Sequence, residues 1–310
     1  MKSNSPAFKN SVLVFGEVLY DVFPDAEVLG GAPFNVARHL AGFGTSALLI
    51  SRVGRDQRLA PVLEACNQFG MDVRGLQLDP RHPTGQVMVN FEGDEPAFDI
   101  LPDQAYDHIH AGLARLTALS AHPRAVYFGS LAARGSTTRR ALQGVLRLSP
   151  GLKFLDVNLR PPWYERSTVE WLLRQAQVVK LNLHELEVLR DWLKLSGSPE
   201  AVSYRLLKRY DLRMLLLTRG AQGAQAATLD GQVFDLPGTP AAGPLADSVG
   251  AGDAFAAVAI HGLLEGWRLP TILARADRFA RRMLQVRGAV PGDQGIYRDA
   301  LAEWAEQRHD

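Results

Sequence analysis

The sequence predicts an α/β domain built on a mostly parallel sheet, and three observations carry that expectation. Short apolar runs rich in β-branched residues alternate with longer stretches of helical spacing, the rhythm of β-α units. Several of these runs are apolar almost without interruption, as strands covered on both faces must be. A chain of 310 residues, 46% of them apolar, carries enough material for one large core.

The strand-like runs are Ser11 to Phe15, Ser46 to Val53, Ala125 to Phe128, Phe154 to Asn158, Val178 to Asn182 and Met214 to Thr218, each bounded by glycine, polar residues or a helix start. Between them the spacing predicts helices over Pro33 to Ala41, Leu59 to Phe69, Ser136 to Leu148, Glu185 to Leu193 and Pro199 to Tyr210. The first two run into Gly42 and Gly70. Two further helices, Ala251 to Glu265 and Thr271 to Gln285, follow each other with no convincing strand between. The segment from Thr84 to Ile100 breaks the rhythm. Val87, Val89 and Phe91 alternate with polar residues before Glu92-Gly93-Asp94-Glu95 turns the chain, which reads as a hairpin outside the main sheet. The stretch Val18 to Leu29 is a candidate partner for it. No internal repeat or linker divides the chain, so one domain over 1–310 is expected, with a small β unit from about 18–30 and 84–101.

Charge narrows the function. Lys and Arg number 34 against 33 Asp and Glu, with no long run of either sign. The electrostatic footprint of a nucleic-acid or anionic-membrane binder is therefore missing, and small-molecule partners are expected. The apolar run near the amino terminus is too short for a signal-peptide core or a membrane span, which predicts a cytoplasmic location. A single cysteine, Cys66, rules out an internal disulfide and a paired-cysteine zinc site, and reads as a small buried filler in a helix.

The chemistry concentrates in Asp247-Ser-Val-Gly-Ala-Gly-Asp-Ala-Phe255, just ahead of a helical stretch. Gly250 and Gly252 permit a tight turn into a helix start whose first N–H groups have no intrahelical partner. Such an end holds anions, and it is suited to the charge developing on a transferring phosphoryl group. Asp253, at the same end, is placed to take a proton from an attacking hydroxyl. A plain helix cap explains the same four residues equally well. Neither GxxxxGK[ST] nor a GxGxxG after the first strand is present, which weighs against P-loop and dinucleotide folds.

The nine residues DSVGAGDAF resemble the carboxy-terminal signature of the ribokinase/fructokinase (PfkB-type) carbohydrate kinases. Further stretches agree in order and spacing. Phe15-Gly-Glu-Val-Leu-Tyr-Asp21 and Leu29-Gly-Gly-Ala-Pro-Phe-Asn-Val-Ala37 are similar to the family's sugar-binding start, and Asp156-Val-Asn-Leu-Arg160 to its DxNxR element. Asn182-Leu-His-Glu185 is similar to its NxxE element, and Thr218-Arg-Gly-Ala-Gln-Gly223 to its nucleotide-phosphate loop. The resemblance runs from about Val12 to Pro291. It implies a ribokinase-like three-layer α/β/α fold in which the hairpin unit is a β lid that closes over the sugar and, in many members, supplies a dimer contact. Phe91, Phe98 and Ile100 then face either the sugar or a partner copy.

The resemblance also implies roles. Asp253 is the base, and the backbone amides of Gly250, Ala251 and Gly252 form an anion hole. Asp21, Gly30, Gly31 and Asn35 line the sugar pocket, with Arg160 near substrate or phosphate. Asn182 and Glu185 organise Mg²⁺ and its waters around the phosphates of ATP, although NxxE alone reads more readily as a capping box. Thr218, Gly220 and Gly223 face the triphosphate. A monovalent cation, K⁺, is expected beside the hole at Asp247 and Val249, with carbonyls near Gly288. Here the sequence departs from the pattern, since Gln285 to Pro291 lacks the Thr-Arg pair before Gly-Ala. His108-Ile-His110 reads as a solvated helix face. The runs GEVLYDVFP, GGAPFNVARHL and DILPDQAYD resemble fructokinase-like members most. Fructose is thus the expected acceptor, ahead of another ketose, a pentose, 2-keto-3-deoxygluconate or a nucleoside. A catalytically silent sugar- or nucleotide-binding regulator of the same fold is the reading outside enzyme chemistry.

Overall fold

Strand β1 (Val12–Phe15) sits inside the main sheet and shows why the sheet is covered on both faces. Its Val12 and Val14 belong to one apolar core and its Leu13 and Phe15 to another, all at most 1% exposed. The computed structural model describes residues 11–92, 95–239, 250–286 and 288–306. Within them the remaining strands are β2 (Leu19–Val22), β3 (Glu27–Gly30), β4 (Ala47–Gly54), β5 (Leu76–Asp79), β6 (Gly85–Glu92), β7 (Glu95–Ile100), β8 (Ala125–Gly129), β9 (Leu152–Asp156), β10 (Val178–Asn182), β11 (Met214–Thr218), β12 (Gly223–Thr228) and β13 (Val233–Pro237). The helices are α1 (Ala32–Gly42), α2 (Leu59–Gln68), α3 (Ala111–Ala121), α4 (Ser136–Leu148), α5 (Arg166–Gln175), α6 (Leu183–Trp192), α7 (Pro199–Tyr210), α8 (Ala251–Leu264), α9 (Leu269–Met283) and α10 (Gly295–Glu306).

The main sheet has nine strands in the order β13-β12-β11-β10-β9-β8-β1-β4-β5. It is parallel from β11 to β5, and β12 and β13 add an antiparallel edge. One face is packed by α1, α2 and α8 to α10, the other by α3 to α7. The chain leaves β1 toward β4 and β5, then returns to β8 on the other side and continues outward. The direction of winding therefore reverses at β1, and in open α/β sheets the crevice beyond the strand ends at such a point is where ligands bind.

A second sheet, in the order β3-β2-β6-β7, stands apart from the first. The hairpin of β6 and β7 is the one the alternation predicted, and β2 pairs with it in parallel, Asp21 opposite Val87. Cys66 is buried in α2 as expected. Among the described residues, no helix is long and apolar enough to cross a membrane.

Several elements went unsignalled. Strand β12 reads GAQAAT, whose small residues carry no β-branched run, yet it is almost wholly buried because both its edges are paired. Helix α3 exposes Leu113, Leu116 and Leu119, so its leucines do not mark its buried face, which Ala114, Ala118 and Ala121 supply. Strand β9 stops at Asp156 rather than at Asn158, whose φ of 38° leaves the extended region. His108 and His110 are not on a helix face: the first closes a 3₁₀ turn over Ala105–His108 and the second caps α3, its Nδ1 accepting from Leu113 N.

Candidate active site

Helix α8 is apolar nearly all round and buried from Asp253 to Gly262, which makes it a core element rather than a surface helix. Its start is fixed by Gly250, the N-cap, at φ 86°. A Cβ there would lie 2.5 Å from the Cα of Ala289, so both the left-handed backbone and the close approach require glycine. Ala289 is held from the other side: its carbonyl lies 3.1 Å from His39 Nε2, and His39 Nδ1 is 2.9 Å from the Tyr297 hydroxyl. Burial pulls the His39 imidazole down to about 3, with Arg38 nearby adding to the effect. The neutral ring thus donates from Nε2 to Ala289 and accepts at Nδ1 from Tyr297. The amides of Ala251, Gly252 and Asp253 form the first turn and by helix geometry have no partner within the helix.

Asp253 is 9% exposed, and α1 delivers its partner across 218 residues of chain, Asn35 Nδ2 donating to Asp253 Oδ2 at 2.8 Å. The amide of Asn35 is itself oriented, because Oδ1 accepts from Arg38 Nη2 at 2.7 Å. Arg38 is buried over the ring of Phe34, and burial brings its guanidinium down to about 10. Burial also pushes the Asp253 carboxyl up to about 6; the Asn35 bond opposes the shift, the Asp156 charge adds to it, and Lys180 and Arg160 oppose it. A carboxyl at that value is mostly ionised at neutral pH and still basic enough to accept a proton.

Three further acidic groups surround this one. Asp156, at the end of β9, takes both carboxylate oxygens to Lys180 Nζ, at 3.0 and 2.9 Å, and Tyr127 donates to it at 3.3 Å. Burial opposes the Lys180 charge, but the Asp156 and Glu185 carboxylates outweigh it and hold the ammonium above its ordinary range. A Cβ on Gly252 would lie 3.4 Å from that Nζ, so the ammonium sits beside Gly252 in the first turn of α8. Glu185 forms the capping box of α6 with Asn182: Asn182 Oδ1 accepts from Glu185 N, and Glu185 Oε2 accepts from Asn182 N, both at 2.9 Å. Its Oε1 accepts from Leu159 N at 2.9 Å, next to Arg160. Burial raises the Glu185 carboxyl, as does Asp156. Glu17, just past β1, is 3% exposed and lifted to about 7, by burial first and by Asp253 after it, against Arg160 and Arg134.

The structure brings many of the expected residues to one edge. Gly31, at φ 104°, lets the chain lie on the backbone after β1; a Cβ there would be 2.7 Å from the Glu17 carbonyl. On Gly30 it would be 3.5 Å from Asp21 Oδ2. Arg160 is exposed and reaches both Glu17 and Asp253 electrostatically. Asn182 and Thr218 end neighbouring strands in register, and Gly220, at φ 56°, turns the chain where a Cβ would meet no atom within 4 Å. Gly223 is demanded by packing, since a Cβ would stand 2.1 Å from the Leu236 carbonyl. Asp247 and Val249 lie outside the described residues.

Sequence reasoning assigned no role to Lys180, Tyr127, Glu17 or His39. Lys180 had a signal, a lone cation inside an apolar strand; His39, inside a helical apolar run, had none.

A family model described as pfkB family carbohydrate kinase matches residues 9–294. A fructokinase from Klebsiella pneumoniae is 31% identical over 280 residues, covering 81% of this chain and 84% of the relative. The crystal structure of a fructokinase with bound ATP from Xylella fastidiosa superposes with a TM-score of 0.83 at 21% identity, over 96% of this chain and 99% of the other. That of a fructokinase from Vibrio cholerae O395 in a fructose, ADP and calcium ion bound form gives 0.77 at 22% identity, over 94% and 98%. These superpositions show a shared ribokinase-like three-layer fold.

Proposed function

The chain belongs to the pfkB family of carbohydrate kinases and is a phosphotransferase acting on a sugar hydroxyl, and we propose that it moves the γ-phosphate of ATP onto free fructose in the cytoplasm, with Asp253 taking the proton. The observation that supports the base is its setting: one buried carboxylate, oriented by Asn35, in the first turn of a buried helix that starts at a glycine turn.

In this reading the acceptor hydroxyl donates to Asp253, its oxygen forms a bond to the γ-phosphorus, and the bond to the β,γ-bridging oxygen breaks to leave ADP. The negative charge on the phosphoryl oxygens meets the amides of Gly250, Ala251 and Gly252 and the Lys180 ammonium beside Gly252. Asp21, Gly30, Gly31 and Asn35 hold the sugar, and Arg160 stands at the rim for substrate or phosphate. Thr218, Gly220 and Gly223 line the triphosphate. Both oxygens of Glu185 are engaged by backbone N–H groups, yet each keeps a lone pair. That suits a hydrated Mg²⁺ bound through water better than a direct ligand, and the ion would offset the phosphate charge. Closure of the β2-β3-β6-β7 sheet over the sugar would exclude water. Its Phe98, 51% exposed, is our candidate contact for a second copy.

The test is a coupled ADP-release assay with Mg-ATP against fructose, other ketoses, pentoses, 2-keto-3-deoxygluconate, nucleosides and fructose phosphates, with and without K⁺. Turnover on fructose above the rest is expected. Turnover on another compound would move the substrate alone, and silence with ATP still bound would favour a sugar-binding regulator. Stimulation by K⁺ would support the cation position at Asp247 and Val249.

A further inference from the structure

Away from the glycine turn, a cavity of about 840 Å³ opens between the loop after β5 and the paired helices α3 and α4. Five arginines line it, Arg52, Arg81, Arg115, Arg140 and Arg147, against one carboxylate, Asp79. That carboxylate is already engaged, with Arg52 Nε at 2.8 Å and His82 Nδ1 at 3.0 Å. Among the described residues, Arg81, Arg115, Arg140 and Arg147 take part in none of the ion pairs. In a chain whose net charge is only +1, this concentration is local.

The helices are shaped for it. Arg140, Gly144 and Arg147 fall on one stripe of α4, opposite the buried Ala141, Leu142 and Val145. Glycine is a poor residue for the middle of a helix. Here a Cβ on Gly144 would stand 2.9 Å from Arg115 Cδ, so its absence lets the arginine of α3 lie across α4 between the two arginines of that stripe.

We propose that this cavity binds a small polyanion carrying at least two phosphate groups. A guanidinium presents a planar fork of donors that matches phosphate oxygens. Separated arginines on α3, α4 and the loop after β5 ask for more than one such group, and the volume is in the range of small-ligand sites, about 300–1,000 Å³. The concave wall and the balanced charge of the rest of the chain favour a compact ligand over a nucleic acid. The cavity also touches the root of the small sheet. Arg52 Nη1 donates to the His108 carbonyl at 2.6 Å, and His108 Nε2 is 2.7 Å from Asp103 Oδ1, in the segment that leaves β7. Occupancy would brace that segment.

Calorimetric titration of inorganic pyrophosphate tests this, at low ionic strength with saturating ADP filling the nucleotide site. The full-length protein is compared with Arg140→Gln/Arg147→Gln and, from the opposite wall, with Arg115→Gln. One equivalent should bind, more tightly than inorganic phosphate and more weakly as sodium chloride rises. Affinity should fall about tenfold or more in the double variant. All these positions are exposed, so the melting temperature and sugar-kinase turnover without pyrophosphate should match the parent protein in both variants. Absence of a second binding event, or equal affinity in both variants and the parent, would overturn the site.

Discussion

Asp253 and Thr218 stand at the same edge of the molecule, yet their surroundings are built differently. Around Asp253, the side chains of Asn35, Arg38, Asp156 and Lys180 are buried and bonded in a chain and a pair. Around Thr218, the neighbouring Asn182 and Gly220 are exposed, and beside Gly220 there is open space. Buried polar groups cost free energy unless each is paired, so once paired they hold a single geometry. The Asp253 side is therefore fixed before any ligand arrives, while the Thr218 side is left to be shaped by what binds.

Breaking the fixed side should have the largest effect. Asp253→Asn keeps the shape and a partner for Asn35, and turnover should drop by about 10²–10⁴-fold with ATP affinity retained, the usual worth of a positioned base. In the parent protein, log kcat/KM for the sugar should rise with pH until about 6 and level off above it, since only the ionised carboxyl of the free enzyme accepts the proton. A variant with near-parental turnover would remove Asp253 from the mechanism.

The Lys180 and Asp156 pair tests whether burial or charge sets the cost. Lys180→Met leaves the Asp156 carboxylate buried with Tyr127 as its remaining bonded side chain, and should cost about 3–5 kcal/mol in urea unfolding. Adding Asp156→Leu should return part of that stability, because an apolar pair needs no charge compensation, while the buried Tyr127 hydroxyl loses its acceptor. Turnover should be low in both variants, with no ammonium beside Gly252.

Glu17 gives the same region a pH signature. Its carboxyl sits at about 7 in the fold against 4.5 as an ordinary group. Below 4.5 both folded and unfolded chains hold the proton, so the residue contributes nothing. Between the two values only the unfolded chain ionises, and stability falls as pH rises; above about 7 the loss is complete. Glu17→Gln should therefore nearly match the parent at pH near 4 and exceed it by about 3 kcal/mol at pH near 8. A gain independent of pH would assign the effect to packing instead.

This contrast also marks what the sequence reveals. The existence of β1, β4, β8, β9, β10 and β11 was legible because each carries a short apolar run, though their order in the sheet was not, and Gly250 to Asp253 stood out through the nine-residue signature around them, since the glycine turn alone reads equally well as a helix cap. The chain of bonds from Arg38 through Asn35 to Asp253 was not, since it joins residues 218 apart and depends on the angle at which α1 crosses α8. Lys180 was half legible: an apolar strand with one lysine announces a buried partner without saying that the partner is Asp156. The edge strands β12 and β13 escaped because small residues and exposed alternation carry little pattern.

On the open side the expected effect is the smallest. Gly220 holds φ at 56°, a region that costs a residue with a Cβ about 1 kcal/mol or slightly more, and nothing lies within 4 Å to resist the added carbon. Gly220→Ala should thus lower stability by about 1 kcal/mol and leave kcat near the parent value, because Asp253, Asn35 and Lys180 are untouched. If this turn faces the triphosphate, the Michaelis constant for ATP should rise a few-fold while that for the sugar stays put. Equal rises for both substrates would mean that the two sides of the site are coupled through the turn, and the division drawn between a fixed half and an adaptable half would fail.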